Sequence, residues 1–192
     1  MADQVYTLPD FVRDAREIVG RGLSEQETIE LVTEPLEHVI QRQECLTDVD
    51  GHDDADPDRG FIIHRDESLT VMAVVWQPDG GAPIHNHNGW AMEGVIRGQE
   101  YNHNYQRTDD GKEPWRATLE EVDPSIVRTG ETTSLMLPPD DIHAVDINEG
   151  KTLAIHVYGL DLTKQWRYCF DVETEEVTPY RMRTRAPAQG SA

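Results

Sequence analysis

Lysine is almost missing from this chain: Lys112, Lys151 and Lys164 stand against 37 aspartates and glutamates, and the formal net charge is -20. Nucleic acids and anionic membrane surfaces recruit basic patches, so this balance argues against both as partners. Two origins fit such a surface: adaptation to a salty cytoplasm that screens carboxylates, or an acidic protein from an Arg-favouring genome. Cysteine is scarce as well. Cys45 and Cys169 are too few for a disulfide framework and suit a reducing cytosol. No apolar run reaches the length of a membrane helix, and no charged-then-apolar stretch opens the chain, so neither a membrane span nor a secretory signal is expected. The cytoplasm is the expected compartment.

What is present divides into a short helical part and a long β-rich part of one expected domain of 192 residues. Residues 1–46 read as helical. Pro9 sits near a first helical position, Phe11, Ala15, Ile18 and Val19 follow at helical spacing, and Gly20 and Gly22 stop the run. Ser24 to Glu27 is a capping-box pattern with an apolar stripe behind it, which Pro35 is expected to kink or split. These helices are expected outside a sheet, the alternative being a lid or dimer contact. Residues 48–58 form an acidic stretch that lacks the order of a calcium loop and reads as a connector. From residue 59 to 180, short β-rich runs alternate with turns, Ile84 to Arg97, Trp115 to Val122 and Ser125 to Thr129 among them, as in an all-β sandwich or barrel. Residues 181–192 read as a loose tail.

The sharpest feature is His85-Asn86-His87, followed later by His143. On a strand, residues two apart share a face, so both rings of the pair can converge on one ion, and neutral imidazoles suit Zn, Cu, Fe or Ni. Such pairs also arise by chance as hydrogen-bonded histidines. A second pattern lies in Ala154-Ile-His-Val-Tyr158. In a strand it places Ala154, His156 and Tyr158 on one face and Leu153, Ile155 and Val157 on the other, aiming a polar pair opposite an apolar set.

The segment from Gly80 to Glu100 resembles the first cupin motif, and Gly130 through Pro138 and His143 to Asn148 resembles the second. Within cupins the likeness is to thiol dioxygenases of the cysteine dioxygenase group, especially the bacterial 3-mercaptopropionate branch. The HxHxxWxxxGxxxGxE pattern of that branch is matched without a gap by His85, His87, Trp90, Gly94, Gly98 and Glu100, and the resemblance covers roughly residues 58 to 175.

The resemblance implies a cupin (jelly-roll) barrel, mainly β, with the N-terminal helices packed outside. It implies Fe(II) held by His85, His87 and His143, and a small mercaptocarboxylic acid and O2 as partners, the acid being of 3-mercaptopropionate, mercaptosuccinate or cysteine type. The product is the sulfinate. His156 and Tyr158 match a Ser-x-His-x-Tyr relay whose serine is replaced by Ala154, and Arg167 falls where the mercaptopropionate branch binds the substrate carboxylate. Ala91 and Met92 cover the positions of a cupin metal-binding Glu and of a crosslinking cysteine, so neither is expected. Glu93 replaces a usually apolar residue. Two readings stand for it: a buried carboxylate that binds a substrate amine or hydroxyl or acts as a base, or a side chain turned to solvent.

His38, His52, His64 and His103 lack a partner at ligand spacing and read as surface or packing residues. Tyr101, His103 and Tyr105 alternate on one strand, where they either line a pocket mouth or form a cross-strand stack. Other classes stay open on sequence: a metal-dependent cupin lyase, isomerase or carbon-carbon cleaving dioxygenase, or a non-catalytic ligand-binding cupin. The oligomeric state is not legible.

Overall fold

A computed structural model of the chain describes residues 5–48, 60–136 and 141–182. Residues 1–4, His52 with nearly all of the acidic connector, the segment 137–140 and the residues beyond 182 lie outside the described residues.

Two helices open the fold, α1 (Leu8–Val19) and α2 (Glu25–Ile40), each started by a capping box: Thr7 with Asp10, and Ser24 with Glu27. The caps satisfy N–H groups that the first turn leaves without intrahelical partners. α2 runs unbroken through Pro35, so the helix is not split there. The carbonyl that loses its bond belongs to Leu31, on the exposed side, while Val32, Leu36, Val39 and Ile40 stay packed on the other. Burial of that stripe holds the helix together against the local defect. Among the described residues no helix is long and apolar enough to cross a membrane.

Eleven strands follow: β1 (Phe61–Arg65), β2 (Thr70–Trp76), β3 (Gly81–Asn86), β4 (Ala91–Arg97), β5 (Gln99–Arg107), β6 (Leu119–Arg128), β7 (Thr132–Leu135), β8 (Ile142–Asp146), β9 (Thr152–Tyr158), β10 (Arg167–Phe170) and β11 (Val177–Tyr180). One sheet has the order β1-β2-β9-β4-β7 and the other β11-β10-β3-β8-β5-β6. The strands from β2 to β9 thus interleave as two antiparallel four-strand groups, the double Greek key of a jelly roll. The fold is a cupin barrel with its N-terminal helices outside.

The strands differ from expectation in two places. The run Ile84 to Arg97 is broken between β3 and β4, where Asn88 takes a φ of 58°, a conformation that asparagine tolerates better than most residues. The separate runs expected at Trp115 to Val122 and Ser125 to Thr129 are joined in β6, past Asp123 with a φ of 43°.

The helices cover the outer face of the five-stranded sheet. Leu153, Ile155 and Val157 of β9 pack into one core with Phe11, Leu36 and Ile40, so this strand is buried on both faces. A Cβ at Gly94 would come within 3.1 Å of Leu36 Cγ and Ile40 Cδ1, which shows how closely α2 lies on β4. Leu36 is fully buried in that contact. Leu36→Ala should therefore cost about 2–5 kcal/mol of stability. Urea unfolding measures it, and a cost under about 1 kcal/mol would mean that the helix is not docked as described.

Candidate functional site

Between the sheets lies a cavity of about 350 Å³, lined from one side by Met72, Val74, Glu93, His156 and Tyr158 and from the other by His85, His143, Val145, Arg167 and Tyr180. His85 and His143 stand directly opposite each other on β3 and β8. The β3 ladder shifts register between Ala82 and His85, around Pro83, which has no N–H to offer. His87 falls just beyond β3, so the pair does not share a regular strand as the spacing alone suggested. Its position comes from the turn. Asp141 Oδ2 accepts from the backbone N–H groups of His87 at 3.3 Å and Asn88 at 2.9 Å, and Asn88 Nδ2 donates to the Trp166 carbonyl at 2.7 Å.

The three rings converge. Nε2 of His85 and Nε2 of His87 are 3.0 Å apart, and one ring nitrogen from each of the three histidines lies within 4.8 Å of the others. Nitrogens at right angles around an ion with bonds of roughly 2.1 Å are separated by about 3 Å. Two of the three outer nitrogens are occupied: His85 Nδ1 donates to the Pro83 carbonyl at 2.8 Å, and His143 Nδ1 donates to Asn102 Oδ1 at 2.8 Å, while His87 Nδ1 has no hydrogen-bond partner among the described residues. Carbonyl acceptors require the proton on Nδ1, so Nε2 of both rings keeps its lone pair toward the centre. Burial pushes the His85 imidazole down to about 4 and holds His87 and His143 well below the usual histidine range, with neighbouring positive charge adding to it. Three neutral, converging imidazoles with two fixed tautomers suit a metal ion.

Glu93 is buried, which settles its orientation against the solvent reading. Its Oε1 lies 3.9 Å from His143 Nε2 and 3.8 Å from His156 Nδ1, and its Oε2 accepts from Asn102 Nδ2 at 3.2 Å. Desolvation pushes its carboxyl up to about 7, with the Glu100 carboxylate adding to the rise and His156 opposing it. Thus Ala91 and Met92 supply no carboxylate, but the neighbouring Glu93 brings one to the edge of the three-histidine group.

His156 and Tyr158 face the cavity as the alternation on β9 predicts, with His156 Nδ1 3.1 Å from Tyr158 Oη. Burial raises the Tyr158 phenol well above its ordinary range. Arg167 is 6% exposed, its Cζ lies 4.5 Å above the Tyr180 ring, and its Nε has no hydrogen-bond partner. Among the described residues no carboxylate forms an ion pair with it. A buried guanidinium without a counter-ion, on the wall of a cavity, is a place for an anion.

Tyr101, His103 and Tyr105 do not line the cavity. The inward parity of β5 belongs to Glu100 and Asn102, both buried, while His103 lies outside, 2.7 Å from Glu121 and 3.3 Å from Asp146. His38 stacks on Tyr6, and His64 pairs with Asp66. Sequence reasoning gave no role to Asn102 or Tyr180. Buried polar residues at inward positions two apart on β5 were the signal for Asn102; Tyr180 stands opposite Arg167 on β11, a strand that had not been anticipated.

No protein-family model matches the chain. Among solved structures it is similar to an oxalate oxidase in complex with glycolate, with 19% identity over 49% of this chain and 43% of that one and a TM-score of 0.38. It is also similar to a structure of DMSP lyases, with 17% identity over 54% and 44% and a TM-score of 0.38. A cupin 2 conserved barrel domain protein from Leptotrichia buccalis shows 18% identity over 52% and 39%, with a TM-score of 0.40. In each case the match spans less than half of the other protein, and likeness at this level says nothing of the reaction. Fold and site together define a cupin barrel with a buried group suited to a metal ion.

Proposed function

We propose that this protein is a mononuclear non-haem iron thiol dioxygenase acting on a small mercaptocarboxylic acid. The observation that carries the reading is the buried Arg167 guanidinium, without a carboxylate partner among the described residues, in the same cavity as three neutral, converging histidines. One end of that cavity suits a carboxylate and the other a metal that takes up a thiol. The net reaction is R–SH + O2 → R–SO2H: both oxygens join the sulfur, which gives up the four electrons that O2 accepts, so no outside reductant is needed.

His85, His87 and His143 would hold Fe(II), which supplies a centre where a thiol loses its proton and O2 becomes reactive. The chain's own residues do the rest. Arg167 offers a planar fork to the carboxylate and fixes the far end of the substrate, so the sulfur meets the metal in one orientation. Met72, Val74 and Val145 form apolar wall that limits water. Tyr158 holds a hydroxyl proton inside the cavity, with His156 Nδ1 as its partner. Glu93 favours a second reading, in which a buried carboxyl beside the metal group moves a substrate proton in a lyase or isomerase reaction.

Oxygen uptake by the iron-loaded protein with a panel of thiols separates the two. Uptake with sulfinate formation should appear with mercaptocarboxylates and stay weak with thiols lacking a carboxylate. No uptake with any thiol would reject the dioxygenase reading. Tyr158→Phe should keep the metal and lower sulfinate formation per bound iron, on the order of 10- to 100-fold. Turnover equal to that of the parent would remove the phenol from the reaction.

A further inference from the structure

Glu100 lies deep behind the cavity wall, fully buried on β5, and reaches across to the opposite sheet. Its Oε1 accepts from Trp76 Nε1 at 2.9 Å, while its Oε2 has no hydrogen-bond partner. The same Oε1 lies 3.5 Å from His156 Nε2, which also has no hydrogen-bond partner. The other ring nitrogen, Nδ1, is 3.1 Å from Tyr158 Oη. Ala154, which shares the inward face of β9, carries no polar atom. Glu93 approaches from β4, but its Oε1 is farther off, at 3.8 Å from Nδ1.

A fully buried carboxylate with a single hydrogen bond, from Trp76, and a buried imidazole nitrogen with none are costly apart and much less so facing each other. The pairing also selects a tautomer. With the proton on Nε2, N–H points at a carboxylate and Nδ1 turns its lone pair to the phenol. With the proton on Nδ1, the Nε2 lone pair would face the carboxylate oxygen, two acceptors against each other. Carboxylate, imidazole and hydroxyl are then arranged as in hydrolytic triads, where the acid orients the ring and the ring receives the hydroxyl proton.

We propose that Glu100 is a positioning residue for Tyr158, acting through His156: it keeps the His156 proton on Nε2, so that Nδ1 accepts the phenol proton. The functional half of this rests on the reading of Tyr158 given above; the tautomer half does not.

Glu100→Gln keeps the size and removes the charge. In the iron-loaded protein kcat should fall on the order of 10-fold or more, with KM and metal content unchanged. Added to Tyr158→Phe it should cause no further fall, because residues that act as a unit are not additive. An equal fall in both backgrounds would mark a merely structural carboxylate, and loss of metal would make Glu100 a ligand; either result overturns the proposal. Nitrogen NMR of the metal-free protein carrying labelled histidine, with His156→Gln to assign the signal, decides the tautomer whether or not any thiol is turned over. Against its burial, Glu93 and Glu100 raise the His156 pKa, so the spectra are taken at a pH high enough for the ring to be neutral; there the parent should show the proton on Nε2, and Glu100→Gln a mixture or the reverse. Trp76→Phe, which frees Oε1 without touching its charge, should shift the mixture less. The same tautomer in the parent and in Glu100→Gln overturns the proposal even if the thiol assays succeed.

Discussion

Replacing His143 with alanine should strip most of the metal and leave turnover at background. Two donors remain in that variant, His85 and His87, held 3.0 Å apart. A pair grips an ion far less firmly than three converging rings, and the open face then admits water. The loss should exceed that from Asn102→Ala, which removes only the acceptor for His143 Nδ1, a class of change that costs roughly 10- to 100-fold in metal affinity. Elemental analysis after desalting checks both. Full metal occupancy in His143→Ala would take this residue out of the ligand set, and an equal loss in the two variants would mean that the outer contact matters as much as the ring itself.

Arg167→Lys should be almost as damaging, although the charge is conserved. A lysine ammonium is a point charge on a flexible stem; it cannot present two parallel N–H groups to a carboxylate, and it cannot reproduce the guanidinium contact over the Tyr180 ring. The expected cost is about 2–4 kcal/mol, roughly 30- to 1000-fold in kcat/KM toward a mercaptocarboxylate, because the carboxylate is left poorly paired beside a buried wall. A thiol without a carboxylate should react poorly with both proteins and show little difference between them. Equal impairment on both kinds of thiol would point to a structural arginine. No impairment on either would dissociate Arg167 from the substrate and reopen the substrate class.

Much of this arrangement is legible in the residues because it rests on local rules. Pro9 and the capping pattern at Ser24 mark the starts of α1 and α2. The alternation of Ala154, His156 and Tyr158 against Leu153, Ile155 and Val157 gives both faces of β9, one toward the cavity and one toward the helices. Other parts depend on distant partners. Pro35 reads locally as a break, yet the buried stripe of α2 carries the helix through it. The inward parity of β5 turns on pairing with β6 and β8, so Tyr101, His103 and Tyr105 were as good a guess as Glu100 and Asn102 until the sheet was assembled. The place of His87 comes from Asp141, 54 residues away, and the burial of Glu93 from the second sheet facing the inner side of β4. Neither follows from residue spacing.

The most direct measurement is mass spectrometry of the product formed by the iron-loaded protein from a mercaptocarboxylic acid under oxygen-18 gas. A sulfinate carrying two heavy oxygen atoms, formed with one O2 consumed per thiol, is the result predicted here. A product with no heavy oxygen, or a disulfide formed while O2 goes to peroxide, would contradict the central claim.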